Sequence, residues 1–287
     1  MKIILIGADG QLGTDLQKII PSKELIPLTI ADIDVTDNAQ VERVILKYKP
    51  DAIINTAAFH RVDDCENQDE MALKVNGIGV KNLCLACKKD NVTLCHISTD
   101  YVFDGTKRTP YVEGDLPRPG TAYGISKLVG EYYIQYLLKN YLIIRSSGLF
   151  GVAGCQATNR RNFIEMMLHL AKEKGKVRVV TDQIVSPTYT MDLARKIYQL
   201  LILKKFGLFH ITNNGQCSWY DFAEKIFELT KTKVKLEKTT TSEFEAKAQR
   251  PAYSVLDNFN LRQQNLDDLQ TWDQALKAYF LEKGIVS

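Results

Sequence analysis

The polarity pattern along the chain alternates between two periods. Ile3-Ile4-Leu5-Ile6 is an unbroken apolar run, followed by glycines and then by a helix-period stretch from about Leu12 to Ile20. The beat continues with an apolar run over Leu25–Ile30, a helical pattern over Val41–Lys49 and a strand at Ala52-Ile53-Ile54. Asp69–Lys89 is helical, Thr93–Ile97 a strand, Tyr123–Lys139 helical again and Tyr141–Arg145 a strand. Strands written as continuous apolar runs have no solvent face, so the pattern predicts a parallel sheet covered by helices on both sides. Its connections are then right-handed crossovers.

The later pattern is less regular. Gly151–Arg161 reads as a loop and Asn162–Lys174 as an amphipathic helix. Val177–Val180 and Leu208–Ile211 read as strands, with a helix over Met191–Lys204 between them and another over Trp219–Thr230. The polar stretch Lys231–Thr241 is expected to be a solvated junction. The fold class expected is α/β, a Rossmann-type doubly wound parallel sheet with a smaller α+β C-terminal substrate lobe. Residues 1–147 plus about 185–213 are expected to form a dinucleotide-binding domain, and about 148–184 plus 214–287 a substrate-binding lobe.

Composition narrows the class. With 287 residues the chain builds a large core without staples, and 37 basic against 34 acidic residues leave a formal charge of only +3. That balance gives no electrostatic case for nucleic acid or a membrane surface as partner. No apolar run approaches the ~20 residues needed to span a bilayer. Lys2 followed by four apolar residues and Gly7-Ala8-Asp9 reads as a buried strand, not a secretory leader. The six cysteines (65, 84, 87, 95, 155 and 217) are dispersed, which fits a reducing cytoplasm. Cys84-Leu85-Ala86-Cys87 has the CxxC form but lies within a continuous helical pattern, and is expected to be core packing. His60, His96, His169 and His210 show no metal-ligand spacing, and His96, inside an apolar strand, is expected to be a satisfied core histidine. No metal is expected. Trp219 and Trp272 are expected to pack the C-terminal lobe.

Three short constellations carry the chemistry. Gly7-Ala8-Asp9-Gly10-Gln11-Leu12-Gly13 follows the first strand directly and opens a helix. Glycines at i, i+3 and i+6 permit a tight turn, close backbone approach to a pyrophosphate, and close packing of helix on strand. Such a loop is weak evidence alone; its place at the start of a βαβ series points to a dinucleotide. The residue that meets the adenosine ribose is expected about 20 residues further on. Asp32, Asp34 and Thr29 all fall in range, which leaves NADH and NADPH both open.

Tyr123 and Lys127 are four apart on one helix and so share a face. A ketone reduced by hydride must gain a proton at oxygen, and a neighbouring ammonium, helped by the oxidised nicotinamide, is expected to lower the phenol's pKa toward the working pH. Ser98-Thr99-Asp100 directly follows the fourth strand, where an open parallel sheet presents its ligand-side residues. The Thr99 hydroxyl would orient the same carbonyl oxygen. Asn55-Thr56-Ala57-Ala58 closes the third strand with small residues that leave room for a cofactor.

With these in place the sequence resembles the extended short-chain dehydrogenase/reductases, most closely the dTDP-4-dehydrorhamnose reductase family. The carriers are Gly7–Gly13, Asp34–Asp37, Asn55–Ala58, Val62-Asp63, Val75-Asn76, Ser98–Gly105 (STDYVFDG), Tyr123–Lys127, Arg145–Ser147, Asp182–Tyr189 (DQIVSPTY), Arg250–Ser254 and Leu256-Asp257. The resemblance implies reduction of a 4-keto-6-deoxy sugar nucleotide, most specifically to dTDP-L-rhamnose, with hydride from NADPH or NADH. Position by position it implies Thr99, Tyr123 and Lys127 as the catalytic trio. Gly7, Gly10, Gln11, Leu12 and Gly13 would cradle the pyrophosphate, Asp34 and Val35 lie by the adenine, and Ala57 and Ala58 line the cofactor cleft. Tyr123 and Lys127 would also touch the cofactor, Lys127 at the nicotinamide ribose. Val62 and Tyr101 would face the sugar. Arg250 is weighed as a diphosphate ligand against a surface ion pair. The chain would act as a monomer or homodimer.

Two positions depart from the family pattern. Gly148 stands where the family often has Trp, which implies a wider sugar pocket unless Leu149 or Phe150 refills it, and Val185 stands at a common Gly. A sugar-nucleotide dehydratase or epimerase is the nearest enzyme alternative, but Thr99-Asp100-Tyr101 lacks the Glu that elimination of water needs. A non-catalytic reading also resembles this family, the β subunit of methionine adenosyltransferase. The intact trio speaks against it.

Overall fold

The computed structural model describes residues 1–154, 161–243 and 247–286; Cys155 and most of the Gly151–Arg161 loop fall outside them. The first half runs β1 (Ile3–Ile6), α1 (Gln11–Ile19), β2 (Leu25–Leu28), α2 (Asn38–Tyr48), β3 (Ala52–Asn55), α3 (Val62–Asn67) and α4 (Asp69–Leu73). A π turn over Lys74–Ile78 leads into α5 (Gly79–Asp90), followed by β4 (Thr93–Thr99), a 3-10 turn over Asp100–Val102, α6 (Ala122–Leu137) and β5 (Tyr141–Ser146). The second half contains β6 (Leu149–Phe150), α7 (Phe163–Lys174), β7 (Lys176–Val180), β8 (Ile184–Val185), β9 (Thr188–Tyr189), α8 (Thr190–Ile202) and β10 (Gly207–His210). It closes with β11 (Cys217–Ser218), α9 (Trp219–Leu229), β12 (Lys235–Thr239), α10 (Phe259–Gln263) and α11 (Trp272–Glu282).

Six strands form one parallel sheet in the order β10-β5-β4-β3-β1-β2. Alternation along each apolar run sends successive side chains to opposite faces. Ile3, Leu5, Ile54, Ile97 and Ile144 join Leu12 and Leu16 of α1 and Leu193 and Ile197 of α8 in one core. Ile4, Ile6, Ile53, Leu94 and Ile143 join Val41 of α2 and Leu83, Cys84 and Cys87 of α5 in the other. Both thiols of the CxxC segment therefore serve packing, and burial pushes Cys87 up to about 12. The chain order reverses on either side of β1, which opens a crevice at the carboxyl ends of β1 and β3.

A third core, built on Phe150, Ile164, Val177, Tyr189, Phe222 and Tyr279, organises the later segments. Here the expectation for Lys231–Thr241 needs correction. Lys235–Thr239 is a strand, paired in parallel with β7 from Lys235↔Lys176 to Thr239↔Val180. Lys235 and Lys238 face solvent, so the backbone ladder, the partly buried Leu236 and the buried Thr239 commit it to the sheet. Val185 lies in β8 in antiparallel pairing with Cys217, as ordinary extended backbone. Among the described residues no helix is long and apolar enough to cross a membrane.

Candidate active site

The crevice deepens into a cavity of about 460 Å³ running from the glycine loop to the start of α9. Its first wall is the amino end of α1. Gly10 caps that helix in extended conformation with no side chain bonded to the free N–H groups. An uncapped helix terminus facing a cavity is an anion site. Gly13 lets the helix approach: a Cβ there would stand 2.3 Å from the Gly7 carbonyl oxygen and 2.9 Å from Ala8 Cα. Gln11 donates to the Leu149 carbonyl at 3.3 Å, and its Oε1 is buried without a partner. The uncapped N–H groups and the unpartnered amide oxygen suit a pyrophosphate and its neighbouring hydroxyls. Gly10, Gln11, Leu12 and Gly13 line the cavity, and Gly7 sits behind them, accepting the Gly10 N–H at 3.1 Å.

The second wall is the loop after β3. Asn55 Oδ1 accepts the Ala57 N–H at 3.2 Å, and Asn76, within the π turn, clamps Phe59 by accepting its N–H at 2.9 Å and donating to its carbonyl at 2.8 Å. Asn76 also donates to Ser126 Oγ at 3.0 Å, so one buried amide ties this loop to α6. Ala58 and Val62 line the cavity, whereas Ala57 does not and packs against the second core of the sheet. Asp34 and Val35 do not reach it. Asp34 accepts the Thr36 N–H at 2.9 Å, and Val35 is buried under Gly79 of α5. Thr29 follows β2, and its N–H and hydroxyl both donate to Asp32, at 2.9 and 3.0 Å.

The third wall brings the trio together. Thr121 caps α6 by accepting the Gly124 N–H at 3.0 Å. Gly124 lies so close to the 3-10 turn that a Cβ would stand 2.2 Å from the Tyr101 carbonyl oxygen. That approach sets the Tyr123 and Tyr101 rings edge to face at 5.7 Å, with Thr99 at the end of β4 between α6 and the sheet. Thr99, Tyr101, Tyr123 and Lys127 all line the cavity. Thr99 donates to Asp100 at 3.0 Å, and Asp100 accepts the Ser147 hydroxyl at 2.9 Å. Asp100 is thus an anchor for Thr99; burial raises its pKa while hydrogen bonds from Ser254, Ser147 and Thr99 oppose.

Burial pushes the Tyr123 phenol well above its ordinary range, against a smaller downward pull from Thr99. The ammonium-assisted lowering expected from the Tyr–Lys spacing is not the arrangement found. Lys127 Nζ turns to the Ile97 carbonyl at 2.5 Å and His96 Nε2 at 3.1 Å, because a buried amine must take the acceptors its pocket offers. Burial lowers Lys127 to about 8, with Glu131 opposing.

The fourth wall corrects the expectation of a widened pocket. Gly148 has φ +54°, and a Cβ there would meet Trp219 Cη2 at 3.5 Å and Pro187 Cα at 3.2 Å. The aromatic face missing at 148 is supplied by Trp219 of α9, its ring centroid 4.5 Å from that of Phe163 of α7 at a tilt of 39°, and both rings line the cavity. Phe150 stays in the third core. Nothing local in the sequence marks Trp219 for this position.

Arg250 lies outside this cavity, on a neighbouring one of about 490 Å³ that shares Tyr101. Its Nη2 donates to Asp63 Oδ2 at 2.8 Å, and Asp63 Oδ1 accepts the Ala248 N–H at 3.1 Å. The guanidinium is partly exposed, so the ion pair leaves donors available on the cavity side.

Comparison with known proteins agrees with this geometry. The family model described as RmlD substrate binding domain matches residues 1–284. The Bacillus subtilis spore coat polysaccharide biosynthesis protein SpsK is 39% identical, over 99% of this chain and 98% of its own length. Among solved structures, a dTDP-4-dehydrorhamnose reductase from Clostridium acetobutylicum superposes with TM-score 0.94 at 42% identity, covering 98% of this chain and 99% of that one. A dTDP-4-dehydrorhamnose reductase from Bacillus anthracis, solved in complex with NADP, superposes with TM-score 0.94 at 37% identity, covering 98% of this chain and 100% of that one.

Proposed function

The chain belongs to the RmlD substrate binding domain family, and from that premise we propose that it reduces the C4 ketone of a 4-keto-6-deoxy sugar nucleotide, dTDP-4-dehydro-L-rhamnose, to give dTDP-L-rhamnose. The observation that carries the reading is the single cavity that joins an uncapped α1 terminus at one end to Thr99, Tyr123 and Lys127 at the other. NADPH or NADH, bound along α1, supplies the hydride.

The chain's own groups do the rest. Gln11 and Leu12 hold the pyrophosphate with backbone N–H groups, and Gly10, whose own N–H goes to the Gly7 carbonyl, leaves room for it. Thr99 turns its one hydroxyl proton from Asp100 to the ketone oxygen and aims that oxygen at Tyr123. Tyr123, kept protonated by burial, gives its phenolic proton to that oxygen as it gains charge. Lys127 holds the ribose and favours the phenolate left behind. Trp219 and Phe163 close one side of the sugar pocket, and the apolar lining keeps water from the reacting carbon. Val62 and Tyr101 border the sugar, and Arg250 meets the diphosphate in the adjoining cavity. The assignment of residues 1–147 with 185–213 to the cofactor domain, and of 148–184 with 214–287 to the substrate lobe, is supported by α8 and β10 packing with the six-stranded sheet.

The test is oxidation of NADPH and NADH on addition of dTDP-4-dehydro-L-rhamnose, with UDP- and GDP-linked 4-keto-6-deoxy sugars in parallel. Steady turnover with the dTDP sugar is expected, falling by roughly 10²–10⁴ in Tyr123→Phe. Near-normal turnover in that variant refutes the assignment of the proton donor. Tight cofactor binding without turnover on any of the sugars refutes the reductase reading.

A further inference from the structure

Lys127 is held by three buried polar groups whose donors and acceptors can be assigned in one way. Asn55 of β3 and His96 of β4 stand side by side in the sheet register, and Lys127 reaches His96 from α6. Asn55 Oδ1 accepts the Ala57 N–H, so the atom that faces His96 Nδ1 at 3.1 Å is the amide nitrogen. An amide nitrogen only donates, so His96 Nδ1 is bare and the ring proton sits on Nε2. That N–H lies 3.1 Å from Lys127 Nζ and needs a lone pair there, which an ammonium lacks. A neutral amine satisfies every group, accepting from His96 and donating to the Ile97 carbonyl. The other imidazole tautomer sets Nδ1–H against the Asn55 amide, and flipping that amide sets its NH2 against the Ala57 N–H.

The surrounding charges do not reverse this. Glu131, one turn along α6, favours the ammonium, but Arg145 of β5 engages both its oxygens through Nε and Nη2, and Ser98 of β4 donates to one. Asp100 beyond β4 is taken up by Thr99 and Ser147. Tyr123 on α6 and Cys65 from α3 are both shifted upward by burial and stay uncharged at neutral pH. Burial drives His96 well below its ordinary value and keeps its ring neutral.

We propose that Asn55 and His96 hold Lys127 as the neutral amine, and that binding of the nicotinamide dinucleotide charges it by offering ribose hydroxyl oxygens as acceptors, so that cofactor binding takes up one proton from solvent. This rests on the cofactor reading above. The new N–H bond forms between the amine lone pair and a proton from the buffer, and nothing is oxidised or reduced. His96 acts as a positioning residue: it sets the protonation of Lys127 and touches neither cofactor nor sugar.

The experiment is calorimetric titration of NADH into the protein in two buffers of different ionisation enthalpy, which gives binding and protons exchanged separately. At pH 9, above the Lys127 value of about 8, uptake approaching one proton per site is expected. Uptake should fall away as the pH drops below that value, since the amine is then already protonated. Asn55→Asp gives His96 Nδ1–H an acceptor and turns Nε2 into an acceptor for the ammonium, so uptake at pH 9 should drop several-fold. His96→Gln, which can face Lys127 with its amide carbonyl, should act in the same direction. Wild-type binding with no proton uptake at pH 9 overturns the inference and leaves the cofactor reading intact. No binding overturns both. Wild-type uptake in folded Asn55→Asp and His96→Gln proteins overturns the role of that pair.

Discussion

Changing Glu131 to Gln should destabilise the protein by about 3 kcal/mol and move the alkaline limit of activity to lower pH. Glu131 is 0% exposed and Arg145 2% exposed. Arg145 Nε donates to Oε1 at 3.0 Å and Nη2 to Oε2 at 2.6 Å, while Nη1 is already buried without a partner. An amide keeps one acceptor but sets its NH2 against a guanidinium donor, and it leaves the cation without a counter-charge. Breaking a buried pair from one side costs ~3–5 kcal/mol. The guanidinium keeps its place over the Phe103 ring, 5.2 Å from the centroid, which favours the lower end of that range. Set against a total of ~5–15 kcal/mol, the loss is large. At ~2–4 °C per kcal/mol the melting temperature should fall by ~6–12 °C. Urea unfolding followed by circular dichroism measures it, and the double variant Glu131→Leu/Arg145→Met should recover most of the loss because no charge is then stranded. Glu131 also raises the Lys127 pKa. Its removal makes Lys127 lose its proton at lower pH, so the alkaline limb of kcat/KM shifts down. A stability change below ~1 kcal/mol, or a double variant no better than the single, would refute the reasoning.

Other outcomes follow from the same geometry. Arg250→Met should raise KM for the sugar nucleotide about tenfold, equivalent to ~1.4 kcal/mol, with NADPH affinity unchanged; an unchanged KM would reduce Arg250 to its ion pair with Asp63. Trp219→Ala removes the ring facing Gly148, and should lower kcat/KM for the deoxy sugar at least tenfold while admitting bulkier sugars better than wild type does; equal losses for all sugars would show that the ring supports only the fold. His96 and His210 are buried and neutral, His210 lowered to about 3 by burial and the nearby Arg145 charge. The unfolded chain binds protons there below pH ~6.5 and the native one does not, so stability is present above that pH and is lost below it, by about 1.4 kcal/mol per histidine per pH unit. Urea midpoints from pH 7 to 5 measure that slope, and a flat profile would rule it out.

What the sequence determined by itself is whatever depends on neighbours along the chain. Ile3–Ile6 and Ala52-Ile53-Ile54 are apolar on both faces, a pattern that suits a doubly covered parallel sheet, and the structure places them there. The glycine spacing at 7, 10 and 13 and the four-residue step from Tyr123 to Lys127 are equally local, since one turn of helix fixes which side chains share a face. Tertiary structure decided what depends on partners far along the chain. Lys235–Thr239 carries no apolar run, and it is a strand because β7 presents a backbone ladder to it. Arg250 meets Asp63, and Trp219 stands where a side chain at Gly148 would go, because segments far apart in the chain fold against each other. His96 could be read as a buried histidine, but its effect on Lys127 depends on Asn55 lying beside it in the next strand. Hydrogen-bond direction is settled by which atoms face each other in space, and linear spacing carries no record of that.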